Sequence, residues 1–129
     1  MLFRSRFFKM QFGSVFSDAH PLTDSEADDQ WSLLTFENGH RIGHLLVHYM
    51  DERERFTERW HGAVREWPGD LSLAWGMRDP VANPQVLAGL RELRPGAPVT
   101  ELPELGHYPQ LEDPSAICAA VEAALSASV

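Results

Sequence analysis

"LSLAWGMRDPVANPQVLAGLREL", Leu71 to Leu93, holds a strand, a loop and a helix in that order. Leu71–Gly76 is a short, mostly apolar run set between Pro68-Gly69 and Gly76, the pattern of a buried strand. "MRDPVAN" follows as a loop. Asn83 is suited to accept a backbone N–H at a helix start, and Pro84 fits the first helical position, where no N–H is needed. Val86, Leu87, Leu90 and Leu93 then fall on one helical stripe.

The pattern repeats downstream. "PGAP" (Pro95 to Pro98) stops the helix, and "VTELPEL" (Val99 to Leu105) reads as a second short strand. "GHYPQLE" (Gly106 to Glu112) is a loop, and Asp113-Pro114 again pairs an N-cap with a proline. The last helix carries Ile117, Val121, Ala124 and Leu125 on one face. Strand, helix, strand, helix with short connections predicts a right-handed parallel βαβα unit. Parallel sheets are normally covered on both faces and contain more than two strands, so the unit reads as the end of something larger, a fragment.

The first half has a different texture. "TDSE" (Thr23 to Glu26) is a capping box, which predicts a helix to about Phe36. "ENGH" is a turn, and a second helix is expected from His40 into the Arg65 region, with Leu45, Leu46, Tyr49, Phe56 and Trp60 as a rough apolar stripe. "DERERFTER" (Asp51 to Arg59) mixes signs at near-helical spacing and reads as a solvated face. No strand is evident before Leu71, and there is no internal repeat.

Bulk properties narrow the function. The 129 residues carry a formal charge of −8, which lacks the basic footprint that nucleic acid requires. The single cysteine, Cys118, cannot build a disulfide framework; in "AICAAVEAAL" it is expected to be a small buried side chain. No apolar run approaches the roughly 18 residues of a membrane span. The basic, aromatic start "MLFRSRFFKMQF" lacks the apolar core and cleavage site of a signal peptide. A cytoplasmic location is the expectation.

Asp79 follows the first strand and His107 follows the second, 28 positions later (107 − 79). Loops leaving the carboxyl ends of parallel strands line the functional crevice of open α/β sheets, so neighbouring strands would set these two loops side by side. A carboxylate accepting from one imidazole nitrogen fixes the tautomer and leaves the other nitrogen to act as a base. Asp-Pro is also an ordinary turn, and a Gly-His loop can be structural; spacing alone leaves both readings open. His40, His44 and His48 recur every four residues, and neighbours could share a metal ion. Eight residues span roughly 12 Å of helix, so one ion cannot take all three, and a polar stripe is the expected role; no metal and no cofactor are expected. Among Trp31, Trp60, Trp67 and Trp75, core packing is the default; Trp75, beside the acid loop, is the candidate for substrate contact.

"WGMRDPV" followed by "GHYPQLEDP" resembles the acid and histidine motifs that close α/β-hydrolase chains, a strand ending in W/Y-G-x-x-D-P and then G-H-x-x-x-x-E-x-P. The order, acid before histidine, matches that fold. "FGSVFS" and "LLVHYMDERERFTERWHGAV" extend the resemblance to the mesoderm-specific transcript proteins and their bacterial relatives, within the epoxide-hydrolase and haloalkane-dehalogenase branch. It covers nearly all of the chain after the first five or so residues. The resemblance implies an α/β fold: residues 1–66 as partial helical cap and return helix, residues 67–129 as the last two strand–helix units of the core.

It further implies Asp79 as triad acid and His107 as triad base, acting on a small, largely apolar substrate (an epoxide, alkyl halide or ester). Tyr49 falls roughly where a cap tyrosine protonates an opening ring, although a packed amphipathic tyrosine is an equal reading. No G-x-S-x-G or G-H-D-x-G elbow is present, and Ser14 in "FGSVF" lacks the second glycine and lies in the cap-like segment. The nucleophile is therefore expected upstream, and "MLFRS" reads as the start of a truncated or mis-assembled frame. On this reading the chain alone is inactive. The alternative is a non-catalytic hydrolase-like fragment that acts as a binding module.

Overall fold

The computed structural model describes residues 2–127. The first half is helical. Helix α1 (Leu2–Gly13) is joined by a turn to α2 (Asp24–Thr35). Thr23 and Glu26 close both arms of the capping box: the Thr23 hydroxyl accepts from the Glu26 N–H, and the Glu26 carboxylate accepts from the Thr23 N–H. The Thr23 hydroxyl also donates to the Glu26 carboxylate, and this bond, with that from the Thr23 N–H, holds the Glu26 carboxyl below its ordinary value. Lys9 reaches from α1 to Asp28 at 2.9 Å and Asp24 at 3.5 Å on α2. The Asp28 hydrogen bond leads the effects that raise the Lys9 amine above its usual value.

Helix α1 is the element the composition of "MLFRSRFFKMQF" does not announce. Its rationale lies in Phe8 and Phe12, one turn apart on one face, with Phe16 continuing the aromatic run in the turn beyond the helix. Phe8 and Phe12 stack with centroids 5.2 Å apart, Phe8 meets Trp31 of α2 at 5.3 Å, and Phe12 meets Tyr108 at 4.9 Å. This aromatic seam ties the helical half to the loop that carries His107.

The expected long helix from His40 to Arg65 is instead a chain of short pieces. A 3₁₀ turn (Phe36–Arg41) leads to α3 (Gly43–Leu46), α4 (Tyr49–Arg55) and α5 (Thr57–Glu66). Glu37 and Asn38 sit at positive φ, as a turn at Asn38-Gly39 favours, and Phe56, with φ −114° and ψ 18°, parts α4 from α5. The expected apolar stripe is not covered: Leu45, Leu46, Tyr49 and Trp60 are exposed. Trp67 is exposed as well, so core packing fails as a role for Trp60 and Trp67.

The second half follows the predicted order. Strand β1 (Leu73–Gly76) leads to α6 (Pro84–Leu93), then β2 (Val99–Leu102), a short helix α7 (Pro109–Glu112) and α8 (Pro114–Ala127). The strands are parallel, with Leu73 opposite Val99 and Gly76 opposite Leu102. Asn83 accepts from the Gln85 N–H, and Asp113 from the Ala116 N–H, so both anticipated caps are made. Leu87 of α6, Leu102, Leu105 and Ala120 of α8 are buried.

On α8 the buried face is narrower than the sequence stripe. Ala120 is buried, Ile117 and Ala124 are half-buried, and Val121 and Leu125 are exposed. Two strands cover only part of a helix's apolar arc, and Leu125 lies about 140° round from Ala120. Cys118 corrects the sequence expectation for the same reason. It lies about 200° from Ala120 and is exposed. Among the described residues no helix is long and apolar enough to cross a membrane.

Candidate functional site

The acid loop begins where β1 ends. The pairing runs on past Gly76, with the Met77 N–H donating to Leu102 and the Arg78 N–H to Leu105. The chain then turns, and the Asp79 N–H donates back to the Gly76 carbonyl at 3.3 Å. Asp79 Oδ1 accepts from the N–H groups of Val81 (2.7 Å) and Ala82 (2.8 Å), so the carboxylate is fixed by its own loop. The far end of that loop is pinned by Trp75, whose indole N–H donates to the Ala82 carbonyl at 2.8 Å. Asp79 is buried, at 8% exposure.

The second oxygen of Asp79 points across to the histidine loop. Oδ2 lies 2.8 Å from His107 Nδ1. With the carboxylate accepting, Nδ1 is the donating nitrogen, and the neutral form of the ring then has its lone pair on Nε2. The His107 side chain keeps 30% of its surface open, which leaves the imidazole accessible. Tyr108 meets the imidazole edge-on at 4.9 Å.

Close backbone approach makes this juxtaposition possible. A Cβ on Gly76 would collide with the Gly106 carbonyl and lie 2.8 Å from that of Leu105. A Cβ on Gly106 would lie 2.7 Å from the Val15 carbonyl and 2.9 Å from the Ser17 nitrogen. Only glycine lets the acid strand, the histidine loop and the Val15–Ser17 segment converge at these points.

The structure thus brings Asp79 and His107 together and ties Trp75 to the end of the acid loop. Tyr49 stands apart from them: it opens α4, is half exposed, and makes no hydrogen bond or ring contact with Asp79 or His107. The three histidines of the four-residue repeat fall on different elements. His40 is in the 3₁₀ turn beside Trp31, His44 is in α3, and His48 precedes α4 and pairs with Asp51 at 3.5 Å. Among the described residues no three His, Cys, Asp or Glu side chains are grouped to hold a metal ion. Glu112 was visible in the sequence motif, but nothing in the spacing gave it a task; its partners are backbone amides far apart in the chain.

No protein-family model matches the chain. LipZ of Mycobacterium tuberculosis, a protein named as a hydrolase, is 59% identical over 119 residues, which are 92% of this chain and 40% of LipZ. The mouse mesoderm-specific transcript protein is 33% identical over 94 residues, 71% of this chain and 28% of that protein. Among solved structures, a serine hydrolase involved in carbazole degradation, the CarC enzyme, superposes with a TM-score of 0.70 at 16% identity. The match covers 95% of this chain and 47% of CarC, and shows the fold.

The chain belongs to the α/β-hydrolase superfamily. It has the architecture of a C-terminal part of that fold and spans well under half the length of its hydrolase-named relative. In an α/β-hydrolase the two parallel strands are the last of a larger sheet, which accounts for an exposed apolar arc on α8.

Proposed function

We propose that Asp79 and His107 are the acid and base of a hydrolytic triad whose nucleophile lies outside these 129 residues. The observation that supports this is the 2.8 Å contact between Asp79 Oδ2 and His107 Nδ1, made by loops that leave two neighbouring parallel strands. His107 Nε2 would take the proton of an attacking nucleophile or water, and Asp79 would hold the ring and stabilise the imidazolium. A serine nucleophile suits an ester. An aspartate nucleophile suits an epoxide or alkyl halide, with His107 activating the water that cleaves the enzyme–substrate ester. The substrate class we infer is a small, largely apolar molecule.

Within this proposal residues 1–66 belong to the lid and its return helix, and residues 67–129 close the core. Trp75 braces the acid loop through its bond to the Ala82 carbonyl and, like the lid residue Tyr49, is a candidate for substrate contact. The test is a chimera in which this chain replaces the matching 119 residues of LipZ. We expect it to hydrolyse a member of an ester, epoxide or haloalkane panel. His107→Ala should reduce turnover on the order of 10⁴–10⁶-fold, and in an aspartate-nucleophile enzyme the covalent intermediate should then accumulate. Unchanged turnover by His107→Ala would refute the assignment.

A further inference from the structure

Glu112 holds the histidine loop from below. Its Oε2 accepts from the Gly106 N–H at 2.8 Å and from the Ser17 N–H at 3.1 Å, and its Oε1 accepts from the Tyr108 N–H at 3.4 Å. Between those two loop amides, the His107 N–H donates to the Val15 carbonyl at 3.0 Å. Three consecutive amides, 106 to 108, are thus tied to two anchors. One anchor is a carboxylate on α7, and the other is the segment that follows α1. Ser17 is itself buried, and its hydroxyl accepts from the His20 N–H, so the segment that Glu112 grips is not a loose tail.

We propose that Glu112 is a positioning residue for His107, coupling the helical half of the chain to the orientation of the imidazole. Charge-assisted bonds to backbone N–H groups are stronger than neutral ones, and here one oxygen joins amides 89 positions apart (106 − 17). With Gly106 and Tyr108 held, His107 has little freedom to swing Nδ1 away from Asp79 Oδ2. Movement of the Val15–Ser17 segment, as when a lid rearranges over substrate, reaches His107 through its own N–H and through the shared carboxylate. Glu112 touches no reacting atom. The role rests on the catalytic reading of His107 given above.

The experiment is NMR on the 129-residue chain with labelled histidine, comparing the parent with Glu112→Gln. Glutamine keeps the size but loses the charge, so its one amide oxygen makes weaker bonds to the amides it faces and its NH2 end opposes the N–H on the other side. The expected result is loss or broadening of the His107 Nδ1–H resonance, and roughly tenfold or faster exchange of the Gly106 and Ser17 amides. Glu112→Asp should restore part of both. A Glu112→Gln spectrum with the Nδ1–H signal and both amides unchanged overturns the role. Should Glu112→Gln fail to fold, the parent decides: the Ser17 and Gly106 amides must share one opening event across a denaturant series, and independent opening overturns the coupling. Absence of the Nδ1–H signal in the parent would count against the Asp79–His107 reading; its presence there and persistence in Glu112→Gln would count against the coupling alone.

Discussion

The two oxygens of Asp79 have separate tasks: Oδ1 accepts from Val81 and Ala82 in its own loop, and Oδ2 meets His107 28 residues away. The first set of bonds aims the second. A carboxylate gripped on one side by its own backbone loses little further freedom when it takes an imidazole on the other, so the contact is pre-organised.

Replacing Asp79 with Asn should therefore weaken both sets at once, since one amide oxygen cannot serve the loop and the ring. The loss of a charge-assisted acceptor costs about 1.5–3 kcal/mol, enough to lower Tm by roughly 4–12 °C in a domain of this size. Thermal unfolding followed by circular dichroism checks it, and a Tm within 1 °C of the parent would show that the buried carboxylate is idle.

Two glycines give opposite expectations. At Gly76 an added Cβ strikes backbone carbonyls of the histidine loop, which cannot rotate away as a side chain could. Gly76→Ala should cost about 1–3 kcal/mol and spoil the Asp79–His107 contact. At Gly89, in α6, an added Cβ meets nothing within 4 Å, so Gly89→Ala should stabilise by roughly 0.5–1 kcal/mol. Urea titration of the pair gives both signs in one experiment.

Much of this arrangement was legible in the sequence. The Asn83-Pro84 and Asp113-Pro114 pairs marked two helix starts, and Thr23/Glu26 marked a third, because each cap is a local bond between near neighbours. Asp79 and His107 were legible because parallel strands place their exit loops side by side. What escaped was set by partners remote in sequence. Helix α1 depends on Phe12 meeting Tyr108, the task of Glu112 depends on Ser17, and the exposure of Cys118 depends on how little of α8 two strands can cover. The His40–Arg65 stretch misled because its apolar spacing looked helical while Glu37, Asn38 and Phe56 broke the backbone.

The uncovered arc of α8 yields a further expectation. Val121 and Leu125 are exposed apolar side chains, so the isolated chain should self-associate or bind a hydrophobic dye. Val121→Lys with Leu125→Lys should reduce that binding while changing stability by no more than about 0.5 kcal/mol per site. A drop in stability well beyond this, by urea titration, would mean that the arc is packed.

The helix-start contact at Thr23 carries a pH signature. Because the Glu26 carboxyl is held below its ordinary value, its contribution is fully present above the unfolded-state value and is lost as pH falls through the folded one. Glu26→Gln should therefore flatten the acid limb of the stability profile, and Thr23→Ala should cost about 1 kcal/mol at neutral pH. Parallel acid limbs for parent and Glu26→Gln would remove the capping role.

The most direct examination of the whole account is the ring proton of His107 in the chain as it stands. A hydrogen bond from Nδ1 to a buried carboxylate shifts that proton far downfield and slows its exchange with water. We predict one such resonance in the parent protein, assigned to His107 by its absence in His107→Gln, and its disappearance in Asp79→Asn. A parent spectrum without it, or one in which Asp79→Asn leaves it in place, would contradict the pairing.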